Sequence, residues 1–222
     1  MEPLNEYLQK TFYVDNSDEL QKAVENIRSR SFDETKVAVS IFNFVRDVKW
    51  GASPIYKASE SIKKIDKPQI CVSKAILQVA LCRIAGIPSR FHCWKVRFSQ
   101  ETVEKINETL FKDAKKKFRT AELYHVAAEV YLGSWLIADA TIDKALEPIF
   151  VSNTWTGNKH ALINGFDLLE DFGTSSDVPK IAIETSTSQN QPIYIRPFSP
   201  ILTWLFNKQI NQLLENIRSL QQ

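Results

Sequence analysis

The residue Cys71 stands at the start of an apolar stretch, CVSKAILQVALCRIAGIPSRF. The pattern predicts a helix from Cys71 to about Ala85, because Gly86 and Pro88 follow as helix-ending residues. The N-terminus of a helix carries a partial positive charge from its unpaired N–H groups, and this charge stabilises a thiolate. The position therefore indicates a nucleophile, and the adjacent N–H groups could form part of an oxyanion hole. A small buried apolar residue is the alternative interpretation of Cys71.

A nucleophilic thiol needs a base, and the base needs an orienting group. The segment YHVAAEVYLGSWLIADAT contains His125 and predicts two strands joined near Gly133. A three-residue loop, Tyr131–Gly133, would pair His125 directly with Asp139, with their Cβ atoms about 5 Å apart. A two-residue turn, Gly133-Ser134, would instead place the two side chains on opposite faces. We expect the three-residue loop, because such a loop prefers glycine as its third residue.

This register sorts the two faces of the hairpin. One face is apolar and is expected to point toward the core: Val126, Ala128, Val130, Leu136 and Ala138. The other face carries His125 and Asp139, together with Ala127, Glu129, Trp135 and Ile137. An aromatic and small side chains around a polar pair are typical of a cleft wall. A strand histidine that bonds a nearby acid for structural reasons is the alternative.

The chain order of cysteine, histidine and aspartate resembles that of the transglutaminase-like superfamily. The resembling segments are CVSKAILQVALCRIAGIPSRF, HVAAEVYLGSW and ADAT, and the resemblance extends over residues 35–141. In that family the cysteine opens a long helix that ends in a Gly-Ile-Pro-Ala/Ser-Arg turn. The resemblance implies an α+β fold with a papain-like core, in which N-terminal helices and the nucleophile's helix pack on an antiparallel sheet. It also implies Cys71 as nucleophile, His125 as general acid/base and Asp139 as the residue that orients the histidine.

The resemblance is incomplete around the cysteine. Gln69 stands where the family commonly has glycine, and Ile70 stands where many members have a small or acidic residue. Gln69 could donate to an oxyanion or simply solvate its loop. Trp50 lies where related sequences often carry an aromatic that lines the acyl site, although a core aromatic fits equally well. The segment 99–121 is longer than a minimal member needs. Its basic run KDAKKKFR is interpreted as a solvated helix face, and a lid over the site is the alternative.

The remaining cysteines and histidines are expected to be structural. In an intact helix Cys71 and Cys82 lie about 16 Å apart along the axis, so they cannot share a zinc ion or a disulfide. Cys82 and Cys93 are therefore interpreted as packing residues. His92 could serve as the base instead, but the sequence places no carboxylate to orient it. A functional role is not favoured for His160, and we expect neither a metal site nor a cofactor.

The chain has 222 residues, a formal net charge of +2 and 44% hydrophobic residues, which is an ordinary globular composition. This charge balance is too weak to predict a nucleic acid or a membrane as partner. No apolar run approaches the roughly 20 residues that span a bilayer, and MEPLNEYLQK lacks the pattern of a signal peptide. Three cysteines without a disulfide framework are typical of a reducing compartment, so we expect a cytoplasmic protein.

Helical patterns come first and strand patterns follow, which favours an α+β fold. We expect a catalytic domain over residues 1–184, with a strand at VPKIAIE near its end. Residues 185–222 are expected to form a polar connector, TSTSQNQP, and then a helix that begins at Ser199-Pro200 and docks on the same domain. Because that helix is more apolar than a free tail, a homodimer through it is the alternative.

These features predict a cysteine-dependent acyl-transfer enzyme. Cys71 would attack the amide carbonyl of a peptide or of a glutamine-type side chain, and water or an amine acceptor would resolve the thioester. Hydrolysis and transamidation share this chemistry, and the small size of the chain favours hydrolysis or a specialised amide exchange. The alternative is a non-catalytic module that keeps the fold and binds a peptide in its cleft.

Overall fold

The computed structural model describes residues 4–53, 55–112, 117–120, 122–147, 149–151, 153–162, 164–186 and 199–220. Its α-helices are α1 (Asp18–Arg28), α2 (Glu34–Arg46), α3 (Ala58–Lys63), α4 (Cys71–Ile84), α5 (Gln100–Leu110), α6 (Lys180–Ser186) and α7 (Ser199–Ser219). Its strands are β1 (Ser89–Phe98), β2 (Glu122–Tyr131), β3 (Trp135–Ala138) and β4 (Phe166–Ser175). Short 3₁₀ helices occupy Leu4–Leu8 and Lys144–Leu146.

The N-terminal helices begin at residues whose side chains cap them. Ser17 accepts a hydrogen bond from the N–H of Leu20 at the start of α1, and Asp33 accepts one from Lys36 at the start of α2. The apolar stripe of α2 lies in the core: Val37, Ile41, Phe42 and Val45. Helix α4 is buried along almost its whole length, so it is the central helix against which the other layers pack.

The four strands form one antiparallel sheet in the order β3-β2-β1-β4. Helix α4 packs against β2, and the main core fills the space between the helices and one face of the sheet. The apolar hairpin face belongs to this core as predicted: Val126, Ala128, Val130, Leu136 and Ala138. The predicted α+β class, with the Cys71 helix packed on an antiparallel sheet, is confirmed.

The register of the β2–β3 hairpin differs from the prediction by two residues. The loop is Leu132–Ser134, in which Gly133 has a φ of 82°. Tyr131 and Trp135 lie directly opposite each other at the loop end of the two strands, and their rings pack edge to face. The predicted direct pairing of His125 with Asp139 is therefore wrong, because Ala138 already lies opposite Ala128 and Asp139 follows the end of β3. An even shift keeps every side chain on its predicted face.

The strand predicted at VPKIAIE is also wrong, since the segment forms helix α6 and packs Val178 and Ala182 into the core. The fourth strand is β4, which pairs with β1 through two irregularities in register. Sequence patterning missed β4 because this edge strand does not alternate in burial, and it exposes Leu168, Leu169 and Phe172.

The C-terminal helix α7 contributes to a second apolar cluster. Leu214 and Ile217 pack there with Ile142, Leu146 and Phe150. The predicted connector begins at residue 185, but residues 185 and 186 belong to helix α6, and residues 187–198 lie outside the described residues. The domain boundary at 184/185 stays a prediction. Within the described part of the chain, no helix combines the length and apolarity that crossing a bilayer requires.

Candidate active site

Cys71 is the first residue of α4 and is partly exposed. The preceding residue Ile70 has extended backbone and provides no side-chain cap, so the first turn keeps free N–H groups near the sulfur. The Sγ atom lies 3.9 Å from the carbonyl oxygen of Tyr124 on β2. The central helix therefore aims its positive end, and the thiol, at the strand that carries His125.

His125 and Asp139 form a buried hydrogen bond of 2.6 Å between Nε2 and Oδ2, and both side chains are at most 2% exposed. The second carboxylate oxygen of Asp139 accepts the backbone N–H of Thr141 at 3.0 Å. The side chain of Cys71 lies near enough to the imidazole to raise the pKa of His125. Because Asp139 occupies Nε2, Nδ1 is the ring nitrogen left to face the thiol, and we refer to Cys71, His125 and Asp139 together as the contact chain.

The electrostatics of this chain favour a charged histidine. Burial by itself lowers the pKa of His125, but the carboxylate of Asp139, and after it the side chain of Cys71, outweigh burial and raise this pKa to about 10. Burial raises the pKa of Asp139, and the neighbouring imidazole outweighs it so that the pKa ends below its usual value. At neutral pH the pair is therefore an imidazolium and a carboxylate, and an imidazolium beside sulfur stabilises a thiolate.

Aromatic rings cover the face of the sheet on which His125 lies. Trp94 stands directly opposite His125 in the β1–β2 register, and their rings are nearly parallel with centroids 6.0 Å apart. On the other side Trp94 stacks on His92 at 3.9 Å, while Phe166 of β4 lies parallel to His125 at 6.3 Å. This wall keeps water from the bond between His125 and Asp139, which strengthens the ion pair.

His92 has two carboxylate partners, which corrects the expectation that it has none. Its Nδ1 lies 2.7 Å from Glu129 and its Nε2 lies 2.7 Å from Asp171. Two acceptors of this kind need both ring nitrogens to donate, and they outweigh the effect of burial so that the pKa of His92 is raised. Asp171 was missed because it lies on the unpredicted strand β4.

Gln69, two residues before Cys71, pairs with Trp50 through an isolated parallel β-bridge. The amide nitrogen of Gln69 donates to the carbonyls of Ser61 at 3.0 Å and Lys64 at 3.3 Å, so both of its hydrogens hold the end of α3. The ring of Trp50 packs edge-on against Phe150 with centroids 5.4 Å apart. Its backbone N–H donates to Asp143 at 2.8 Å.

The other two cysteines, Cys82 and Cys93, are buried. Burial raises the pKa of Cys82 to about 12 and that of Cys93 to about 11, so both are poor nucleophiles. The Nδ1 of His160 accepts the backbone N–H of Ile137 at 3.0 Å and so anchors β3.

In the segment 99–121, Phe118 packs on Phe98, while residues 113–116 and 121 lie outside the described part.

Two buried polar residues of α4, Lys74 and Gln78, hold the segment that carries Asp139. Neither residue is among those predicted from the sequence. The available signal was two long polar side chains four residues apart on a helix that is otherwise apolar, which places them on one helix face.

Residues 21–140, more than half of the chain, match the family model of the transglutaminase-like superfamily. The chain is also similar to a solved structure from Cytophaga hutchinsonii described as a putative cysteine protease, with 20% identity and a TM-score of 0.48. That similarity covers 80% of this chain and 48% of the other, so the chain spans about half the length of that protein. A search of curated proteins found no match.

Proposed function

Because the chain belongs to the transglutaminase-like superfamily, we propose that it is a cysteine-dependent acyl-transfer enzyme that cleaves an amide through a thioester. In this proposal Cys71 is the nucleophile, His125 the general acid/base and Asp139 the residue that orients the imidazole. The observation that supports it most is the buried 2.6 Å bond between His125 and Asp139, near a partly exposed thiol at a helix N-terminus that raises the pKa of His125.

The first half of the proposed reaction forms the thioester. The Cys71 thiolate attacks the amide carbonyl carbon, a C–S bond forms, and negative charge moves to the carbonyl oxygen. The backbone N–H of Cys71, which has no acceptor within its own helix, is the proposed oxyanion donor. The side chain of Gln69 is a weaker candidate, since its amide hydrogens already bond Ser61 and Lys64. The C–N bond then breaks as the His125 imidazolium gives its Nδ1 proton to the leaving amine.

The second half resolves the thioester and regenerates the enzyme. Neutral His125 takes a proton from water or from an amine acceptor, the new C–O or C–N bond forms, and the Cys71 thiolate leaves. These steps use no metal and no cofactor. The substrate class that we propose is a peptide or protein amide, with Trp50 as a wall of the acyl site, and hydrolysis or a specialised amide exchange as the outcome.

Two further proposals concern the cellular compartment and the oligomeric state of the enzyme. A nucleophilic thiol keeps its activity in a reducing compartment, so we propose the cytoplasm. A homodimer through α7 remains a weaker proposal, because Leu214 and Ile217 are already buried within the chain while Leu220 is exposed.

Alkylation by iodoacetamide near neutral pH, read by peptide mass spectrometry, tests the proposed nucleophile. We expect Cys71 to react much faster than the same residue in the urea-unfolded chain, and Cys82 and Cys93 to stay unlabelled in the folded protein because they are buried with raised pKa values. The variant Cys71→Ser is the control for site assignment. A Cys71 that reacts no faster when folded than when unfolded would favour the non-catalytic peptide-binding module.

A second measurement separates hydrolysis from amide exchange. Peptide amides are incubated with the protein in the presence and absence of hydroxylamine, and the products are weighed by mass spectrometry. A hydrolase turns over and gives the free acid without the amine, whereas an enzyme that requires an amine acceptor turns over only when hydroxylamine is present and then gives the hydroxamate. No covalent adduct on Cys71 and no product with any peptide would speak against acyl transfer on this substrate class.

A further inference from the structure

Lys74 is a fully buried cation one helical turn after Cys71. Its Nζ atom lies 3.2 Å from the carbonyl oxygen of Arg46, 2.6 Å from that of Val48 and 2.7 Å from that of Thr141. A protonated amine has three N–H donors and a neutral one has two, so three carbonyl acceptors fit an ammonium group. One of these carbonyls is that of Arg46, the last residue of α2, and a second follows two residues later, so the amine lies at the C-terminal end of that helix, where a cation is favourable. The third follows the catalytic carboxylate by two residues.

Gln78 provides a second contact on the same face of α4, one turn further on. Its amide nitrogen donates to the carbonyl of Ala138 at 2.9 Å, so Lys74 and Gln78 hold the carbonyls on both sides of Asp139. The backbone of Asp139 is held as well, since its N–H donates to Ala161 at 2.8 Å. Helix α4, which begins at Cys71, is thus hydrogen-bonded to the segment that contains Asp139.

We propose that Lys74 is a positioning residue, which fixes the carboxylate of Asp139 relative to the helix of Cys71 so that His125 stays aimed at the sulfur. This inference rests on the proposed function, because it assigns a role within the same site. Lys74 touches none of the reacting atoms and acts only through the segment between Ala138 and Thr141.

The charges around Lys74 come from several elements. Burial lowers the pKa of Lys74 to about 7, while Asp143, Asp139 and Asp47 act to raise it and Arg218 acts to lower it. With this pKa about half of the Lys74 side chains are protonated at pH 7, and the three carbonyl bonds favour the protonated form. Removing the cation has two opposite effects on the histidine. Loss of a nearby positive charge favours the His125 imidazolium. Displacement of the Asp139 segment, by contrast, separates the imidazolium from its carboxylate and so favours neutral His125.

The variant Lys74→Met distinguishes these effects through the rate at which iodoacetamide alkylates Cys71 between pH 6 and 9. If Lys74 positions Asp139, the imidazolium is lost, and we expect the rate at pH 7 to fall by about tenfold or more. A purely electrostatic role would leave the rate unchanged or raise it, and either result overturns the inference.

Arg83 offers a matched control on the same helix. It is a buried cation whose guanidinium also donates to backbone carbonyls, those of Gln9, Ser89 and Ser176. Arg83→Met should lower the urea midpoint of unfolding as Lys74→Met does, yet leave the alkylation rate of Cys71 in the folded protein within about twofold of wild type. An equal fall of the rate in both variants would mean that Lys74 has only a structural role.

The variant Gln78→Met provides a second test if Lys74→Met is not folded, which the absence of a cooperative urea transition would show. It removes the companion bond to Ala138 without changing charge, so we expect a smaller fall of the alkylation rate in the same direction. A wild-type rate would overturn the inference. The failure of the proposed function looks different, because there Cys71 of the wild-type protein is itself no more reactive than in the unfolded chain.

Discussion

Replacement of Asp139 by asparagine keeps the shape of the buried pair and removes its charge. In the wild-type protein the Oδ2 of Asp139 accepts from Nε2 of His125 at 2.6 Å, and Oδ1 accepts the N–H of Thr141 at 3.0 Å. An asparagine can satisfy one of these contacts with its oxygen, but its amide nitrogen is a donor. The variant therefore loses the carboxylate that keeps the imidazole protonated.

The size of the effect follows from the protonation of His125. With a pKa of about 10, essentially every ring is protonated at pH 7. Burial alone lowers the pKa below its ordinary value of 6.5, so without the carboxylate at most about a quarter of the rings keep the proton at pH 7. An ordinary thiol without an imidazolium beside it, with a pKa of about 8.5, is only about 3% thiolate at that pH. We therefore expect alkylation of Cys71 to slow by roughly fourfold to thirtyfold at pH 7.

The assay is iodoacetamide alkylation of Cys71 at a series of pH values, with urea unfolding as the check that each variant is folded. The wild-type rate should change little between pH 6 and 8, whereas the Asp139→Asn rate should rise about tenfold per pH unit, as for a free thiol. The matched control is Asp171→Asn, which removes a carboxylate from His92 on the same sheet face. A folded Asp139→Asn protein with the wild-type rate and pH profile would refute the assigned role of the pair.

Three further predictions concern stability, each measured by urea denaturation. The lowered pKa of Asp139 gives stability that is present above about pH 4 and is lost as the pH falls through the folded pKa, so wild type should lose more stability than Asp139→Asn between pH 6 and 3. Equal losses would contradict this. Arg218→Met leaves the buried Asp143 without its ion-pair partner and should cost about 3–5 kcal/mol. A cost below about 1 kcal/mol would mean that the carboxylate is hydrated. Gly165→Ala places a Cβ atom 2.6 Å from Oγ1 of Thr102 at a φ of 87° and should cost about 1–3 kcal/mol, whereas a neutral substitution would show that this turn adjusts freely.

The local part of the fold could be predicted because its signals are short-range. The helix that begins at Cys71 and the helix that begins at Ser199 each follow from a few neighbouring residues. The face on which His125 lies is local as well. Side chains alternate along a strand, so this assignment survived a register that was wrong by two residues.

The sequence by itself thus determined the helix of Cys71, the C-terminal helix, the faces of the hairpin and the three residues proposed for catalysis. Only the tertiary structure decided which residues stand opposite one another. It placed β4 and Asp171 beside His92, and it turned Lys74 toward the carbonyls around the Asp139 segment. These contacts join residues far apart in the chain, and they form because buried donors and acceptors must find partners once water is excluded. That requirement exists only in the packed molecule, and no local pattern records it.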